Sequence, residues 1–171
     1  MGELAVTVIG HDRPGIIADV AEVLSGLGMN LTDSTMTRLR GHFAMTLICT
    51  GDHPPADVEK GLATLTGDGS LDVSVRPVRP EAEPAAGGLP YVLTVHGADR
   101  LGIVATVARA VAEAGGNVTD LTTRLAGELY LLVAEVDLPA AEADRLTERL
   151  AGVAGVLNVD AALRPGEADV L

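Results

Sequence analysis

The sequence predicts an α+β protein made of two copies of one small module. Each copy is a βαββαβ unit whose four strands form an antiparallel sheet with two helices on one face. Three observations lead there: the chain aligns with itself, strand-like and helix-like stretches recur in the same order, and a Pro/Gly/Ala-rich segment separates the copies.

The internal copy is direct to read. Sliding the sequence by 87 positions aligns Leu4 to Asp33 with Tyr91 to Asp120 and gives 14 identities in 30 positions, among them Gly10/Gly97, Asp12/Asp99, Arg13/Arg100, Gly15/Gly102, Gly28/Gly115 and Asn30/Asn117. After a one-residue gap the match continues at 86, pairing Arg38 with Arg124, Leu39 with Leu125 and Gly41 with Gly127. The segment Arg79 to Gly88, RPEAEPAAGG, continues neither a helix nor a strand. The expected organisation is module 1 over residues 1–78, a linker over 79–90, module 2 over 91–164 and a tail over 165–171.

In module 1, Leu4 to Ile9 alternates as a strand. Gly15 to Leu27 carries Ile16, Val20, Ala21, Leu24 and Leu27 at helical spacing, and Gly28 stops it. Asn30 to Arg38 is Thr-rich and polar, as an edge strand tends to be, and Arg40-Gly41-His42 turns it into Phe43 to Thr50. Pro54-Pro55 opens a second helix with Val58, Leu62 and Leu65 as its stripe, and Leu71, Val73 and Val75 alternate in a last strand. Module 2 repeats the order with strand Tyr91 to His96, helix Gly102 to Ala114, strands Asn117 to Leu125 and Leu129 to Asp137, helix Pro139 to Leu150 and strand Val156 to Leu163. Two ferredoxin-like, split-βαβ modules result, and because about 75 residues make a marginal core the copies are expected to pack together.

Composition narrows the function. Of 171 residues 47% are hydrophobic and 21% charged, which fits a folded chain, and no apolar run reaches the roughly 18 residues of a membrane helix. Twenty-four acidic against twelve basic residues give a net charge of -12, which repels nucleic acid. The aromatics are Phe43, Tyr91 and Tyr130, so a base-stacking sheet is missing as well. One cysteine, Cys49, excludes an internal disulfide and a cysteine-cluster zinc site, and its place on an apolar strand face reads as a buried, inert thiol. His11, His42, His53 and His96 do not correspond between copies and show no ligand spacing, so no metal is expected. The first residues lack the basic start of a secretory signal, and a cytoplasmic location is the expectation.

The same topology hosts unrelated chemistries, so residues must decide. RNA recognition and copper handling lack their aromatics and their C-x-x-C, and an acylphosphatase-like use of Arg13 or Arg100 lacks a matching nucleophile-orienting pair. A small-ligand sensor fits better. Gly10-His11-Asp12-Arg13-Pro14-Gly15 and Gly97-Ala98-Asp99-Arg100-Leu101-Gly102 link the first strand of each copy to the start of its first helix. Backbone N–H groups there attract a carboxylate, glycine lets a ligand come close, and Asp12 or Asp99 suits an ammonium group. Asn30 and Asn117 open the next strand and are expected to join the same end of the sheet as a donor and acceptor. The plainer alternative is that Asp12 and Asp99 cap helices, Gly28 and Gly115 end them, Asn30 and Asn117 support turns, and Arg13 and Arg100 are solvated or paired with nearby acids.

GHDRPGII followed by GMNLTDS, and GADRLGIV followed by GGNVTDL, resemble the ACT domain, an amino-acid-binding regulatory module. As a whole, two such modules without a catalytic domain resemble the glycine cleavage system transcriptional repressor group and its stand-alone tandem relatives. The resemblance implies a non-catalytic regulator without a cofactor that binds a small amino acid of the glycine or serine class, forms a homodimer and signals to a partner protein. It also implies a ligand site built by the first loop of one module and the second strand of its neighbour. The residues so implied are Asp12, Arg13, Pro14, Gly15, Ile16 and Asn30 in module 1, and Asp99, Arg100, Gly102, Ile103 and Asn117 in module 2. Leu101 in place of Pro14 and Ala98 in place of His11 make the two sites unequal. The alternative is a ligand-free oligomerisation or scaffold protein of the same fold.

Overall fold

The computed structural model describes residues 2–79 and 88–166. The first half carries β1 (Gly2–His11), α1 (Ile16–Gly26), β2 (Asn30–Leu39), β3 (His42–Gly51), α2 (Pro55–Leu62), a 3-10 turn (Ala63–Leu65) and β4 (Leu71–Pro77). The second carries β5 (Leu89–Ala98), α3 (Ile103–Glu113), β6 (Asn117–Ala126), β7 (Leu129–Leu138), α4 (Ala143–Leu157) and β8 (Val159–Pro165). The sheets are ordered β2-β3-β1-β4 and β6-β7-β5-β8, with every neighbour antiparallel. The chain divides into two compact units, residues 1–82 and 83–171. Each is the α+β, split-βαβ module that the sequence predicts.

Alternation along the two central strands makes each core. Leu4, Val6 and Val8 of β1 and Phe43, Met45, Leu47 and Cys49 of β3 turn to one face, where Ile16, Val20 and Leu24 of α1 and Val58 and Leu62 of α2 cover them. Each large aliphatic side chain so buried contributes at most about 1.5–3 kcal/mol. In module 2, Leu93 and Val95 of β5 and Leu132, Ala134, Val136 and Leu138 of β7 lie under Val107 and Val111 of α3 and Leu146 and Leu150 of α4. Cys49 is fully buried, its thiol 3.7 Å from the Leu4 carbonyl, and burial pushes its pKa up.

The helix ends follow from glycine. Gly15 and Gly102 precede α1 and α3 with φ of 90° each, a left-handed conformation that a residue with a Cβ resists. At the other end Gly28 is left-handed as well, and bonds from the Gly28 amide to Ser25 and from the Met29 amide to Leu24 close α1 in a Schellman turn. Gly115 and Gly116 repeat it on α3.

Three readings of the sequence are corrected. The second module's sheet starts at Leu89, because Leu89 and Pro90 already pair with Leu138 and Asp137; of the expected linker, residues 80–87 lie outside the described residues, as do tail residues 167–171. The last helix is Ala143–Leu157 rather than Pro139 to Leu150, since Pro139 sits in a preceding turn and the stripe Leu146, Leu150, Val153, Leu157 runs on past Gly152 and Gly155 until Asn158 turns left-handed with φ 53°. Val156 therefore belongs to that helix, and β8 begins at Val159.

The third correction matters most: no one-residue gap exists. Leu39 faces His42 and Ala126 faces Leu129 across equivalent two-residue hairpins, so the offset of 87 holds along both strands. Arg40 and Gly41 are both left-handed in the first hairpin, whereas in the second only Gly127, at the first turn position, is. The glycine moves by one place while the strands do not. Arg38 thus corresponds to Leu125, and Arg124 to Thr37.

Replacing Gly15 or Gly102 with Ala is expected to lower unfolding free energy in urea by about 1–2 kcal/mol, the cost of a left-handed non-glycine residue. The Cys49 thiol is expected to react with an aromatic disulfide reagent at pH 8 only once denaturant opens module 1; equally fast reaction of the native protein would contradict its burial.

Candidate functional site

In module 1 the loop from His11 to Gly15 is tied down on two sides. The His11 amide donates to Ser70 O at 2.9 Å, and the Asp12 amide to Gly41 O at 3.1 Å, fixing the loop to the start of β4 and to the β2–β3 hairpin. The His11 and His42 rings face each other across β1 and β3 with centroids 5.4 Å apart. Asp12 and Arg38 form an ion pair at 3.3 Å, and Arg13 pairs with Asp19 at 2.8 Å while also donating to Pro14 O at 3.2 Å. All four charged groups are partly exposed, so each pair contributes no more than about 1 kcal/mol. Their importance is that they occupy the groups a ligand would use.

Module 2 has the same backbone and different charges. Gly102 again carries the helix start, with the Thr106 amide donating to its carbonyl at 2.9 Å. Thr106 stands where module 1 has Asp19, and α3 has no acid in its first turn. Arg124 pairs with Leu131 on the open face of the sheet and donates to Thr123 O, while Leu125 occupies Arg38's position. Among the described residues, Asp99 and Arg100 have no side-chain hydrogen bond or ion pair. Leu101 is fully exposed beside them, and Leu129 is half exposed opposite Ala98.

The structure brings Asp12, Arg13, Pro14 and Gly15 into one loop and Asp99, Arg100 and Gly102 into another, whereas Ile16 and Ile103 begin α1 and α3 with their side chains buried in the cores, and the asparagines are separated from both loops. Asn30 faces Thr50 and Asn117 faces Asp137, whereas the loops meet β3 at His42 and β7 at Leu129. The two points are eight residue steps apart along each strand, about 25 Å. The expectation that they share one end of the sheet is wrong, for a topological reason: each first helix runs back along the sheet, so the next strand begins at the far end.

Two roles suggested by residue type also change. Neither Asp12 nor Asp99 caps its helix, since no side chain bonds the first-turn amides of α1 or α3. Gly10 does not leave room for a ligand either; a Cβ there would strike the Ser70 carbonyl, so glycine is needed for β4 to pass. What sequence reasoning missed is Arg38 as the partner of Asp12 and Leu125 as its replacement. The signal was the period of two from the hairpin, hidden by the displaced glycine.

Other possible sites are less developed. A groove of about 740 Å³ between α3 and α4 is lined by Arg109, Val153 and Val156 and crossed by the Arg149–Glu113 ion pair at 2.6 Å, and none of the expected site residues borders it. Among the described residues no group of three His, Cys, Asp or Glu side chains is placed to hold a metal ion, and no helix is long and apolar enough to cross a membrane.

The comparisons agree with this architecture. The family model for the ACT domain matches residues 3–75 and again 90–162. A UPF0237 protein of Listeria innocua is 34% identical over 77 residues, 44% of this chain and 86% of that protein. A UPF0237 protein of Methanopyrus kandleri is 44% identical over 61 residues, 36% of this chain and 66% of that one. Among solved structures, an unknown protein from Galdieria sulphuraria superposes with a TM-score of 0.81 at 25% identity, covering 97% of this chain and 99% of the other. A protein assigned as a glycine cleavage system transcriptional repressor shares the fold, with a TM-score of 0.70 at 18% identity over 98% of both chains. The chain belongs to the ACT domain family and carries two of these domains in tandem.

Proposed function

We propose that this protein is a non-catalytic regulator that binds a small amino acid at the loop between the first strand and first helix of its domains, and passes that occupancy to a partner protein. One observation carries the reading: the same loop occurs twice, with a left-handed glycine in front of a helix whose leading amides no side chain caps. Amides aligned with a helix dipole suit a carboxylate, and the adjoining Asp12 or Asp99 suits an ammonium group. Glycine or serine is the ligand class that the likeness to a glycine cleavage regulator suggests.

The asparagines fit this reading only when a neighbouring module supplies them. Within its own sheet β2 is an edge strand, and an edge strand of another chain laid antiparallel beside it would bring that chain's Asn30 level with the loop. A homodimer is part of the proposal for that reason. Binding would signal by favouring one association state over another.

A ligand-free scaffold is the second reading, favoured by the exposed apolar side chains Met36 and Leu39 on β2 and Leu121 and Leu125 on β6. Thermal unfolding with each of the twenty amino acids separates the two. The regulator is expected to gain about 2.7 kcal/mol at a hundredfold excess over Kd of its ligand, and to lose that gain in Asp12→Ala or Asp99→Ala. No response to any amino acid would favour the scaffold. With a net charge of -12, the purified protein alone is expected to leave a DNA fragment unshifted in a gel; a specific, salt-sensitive complex would contradict this.

A further inference from the structure

We propose that His11 and His42 of module 1 together bind one divalent transition-metal ion of the nickel, copper or zinc class. The proposal stands apart from the amino-acid reading of the loops and does not depend on it.

Strand register brings the two imidazoles together. His11 ends β1, His42 opens β3, and the two residues stand directly opposite each other. The Asp12 amide donates to Gly41 O at the next rung, while the amide of His11 turns away toward β4 and donates to Ser70 O. His11 and His42 are therefore a non-hydrogen-bonded pair, the kind in which opposing side chains come closest. Their ring centroids are 5.4 Å apart. With metal–nitrogen bonds of about 2.1 Å, each ring centre lies about 3.2 Å from a bound ion, and two rings at a tetrahedral angle are about 5.3 Å from each other. The strands thus hold the rings at the separation that chelation needs. Both side chains are exposed, and the broad χ2 torsion of histidine lets each ring aim a nitrogen at the point between them. Among the described residues neither ring has a hydrogen bond or ion pair, so an ion displaces no partner.

The donor set selects the class of ion. Among the described residues no third His, Cys, Asp or Glu joins the pair, so water fills the remaining positions. Two imidazole nitrogens suit nickel, copper and zinc, whereas magnesium and calcium take oxygen ligands. Module 2 sets Ala98 against Leu129 at the same place, which limits the site to one per chain. The pair escapes a search by sequence spacing because its members lie on different strands and neither recurs in the second copy. An ion held there ties the start of the loop to the β2–β3 hairpin, beside the existing bond between Asp12 and Gly41.

Calorimetry on the full chain with Ni²⁺, Zn²⁺ and Mg²⁺ tests this, at about 0.15 M salt so that general attraction of cations to an acidic protein is screened. Ni²⁺ and Zn²⁺ are expected to bind at one ion per chain and Mg²⁺ to give no such isotherm. His11→Ala and His42→Ala should each weaken Ni²⁺ binding by about tenfold or more, and His53→Ala and His96→Ala should leave it unchanged. Because His11 and His42 are exposed, both variants should unfold at the parent's temperature in the presence of a chelator. The rise in Tm that Ni²⁺ gives the parent should vanish in them. His11→Phe, which keeps a ring opposite His42, should lose the ion just as His11→Ala does. Ni²⁺ binding that survives loss of either His11 or His42, or that disappears with His53 or His96, would overturn the proposal. So would Mg²⁺ bound as tightly as Ni²⁺, which would make uptake a property of the acidic surface, or no heat from either transition metal.

Discussion

The constraint on which the rest depends is that a strand has two faces and a module this small can cover only one. Leu4, Val6 and Val8 must all turn toward α1 and α2, and Phe43, Met45, Leu47 and Cys49 must match them from β3. Once that face is fixed, the hairpins, the helix starts and the loops have little freedom. A slip of one residue in β1 or β3 would exchange buried for exposed side chains along the whole strand. Strand pairing therefore persists at one offset through both modules while the residues between the strands vary.

That variation separates the two loops. Their backbones agree closely, with Gly15 and Gly102 both left-handed at φ 90°, because each first helix must start from a left-handed residue to lie back across its sheet. Their side chains diverge because the hairpin opposite uses Arg-Gly in one module and Gly-Glu in the other. An arginine that faces the helices in module 1 faces away from them in module 2, and a leucine takes its place. Asp12 is paired with Arg38, and among the described residues Asp99 has no such partner. Duplication thus preserved the anion-attracting helix start and left the surrounding charges free to specialise.

The cores diverge in the same way. Module 1 fills the layer under its first helix with Leu24, Met45 and Leu47, while module 2 has Val111, Leu132 and Ala134. A well-packed interior tolerates no void without losing contact energy, and these smaller side chains leave module 2 an apolar cavity of about 100 Å³ under α3.

By itself the sequence determined the fold class, the duplication, the order of the elements and the two loops at Asp12 and Asp99, because alternation, helical spacing and left-handed glycines are local properties that a reader can count. It misplaced Asn30 and Asn117, whose distance from the loops depends on the direction in which a helix returns across its sheet. It also paired Arg38 with Arg124, since identity of residue type outweighed the strand period when a glycine moved within the hairpin. The ends of α4 were hidden because Gly152 and Gly155 resemble breakers, yet Leu146, Leu150, Val153 and Leu157 bury enough apolar surface to carry the helix through them. Which charges are paired, and where the core leaves room, were decided only in three dimensions. Both depend on contacts between residues far apart in the chain, and no local pattern records them.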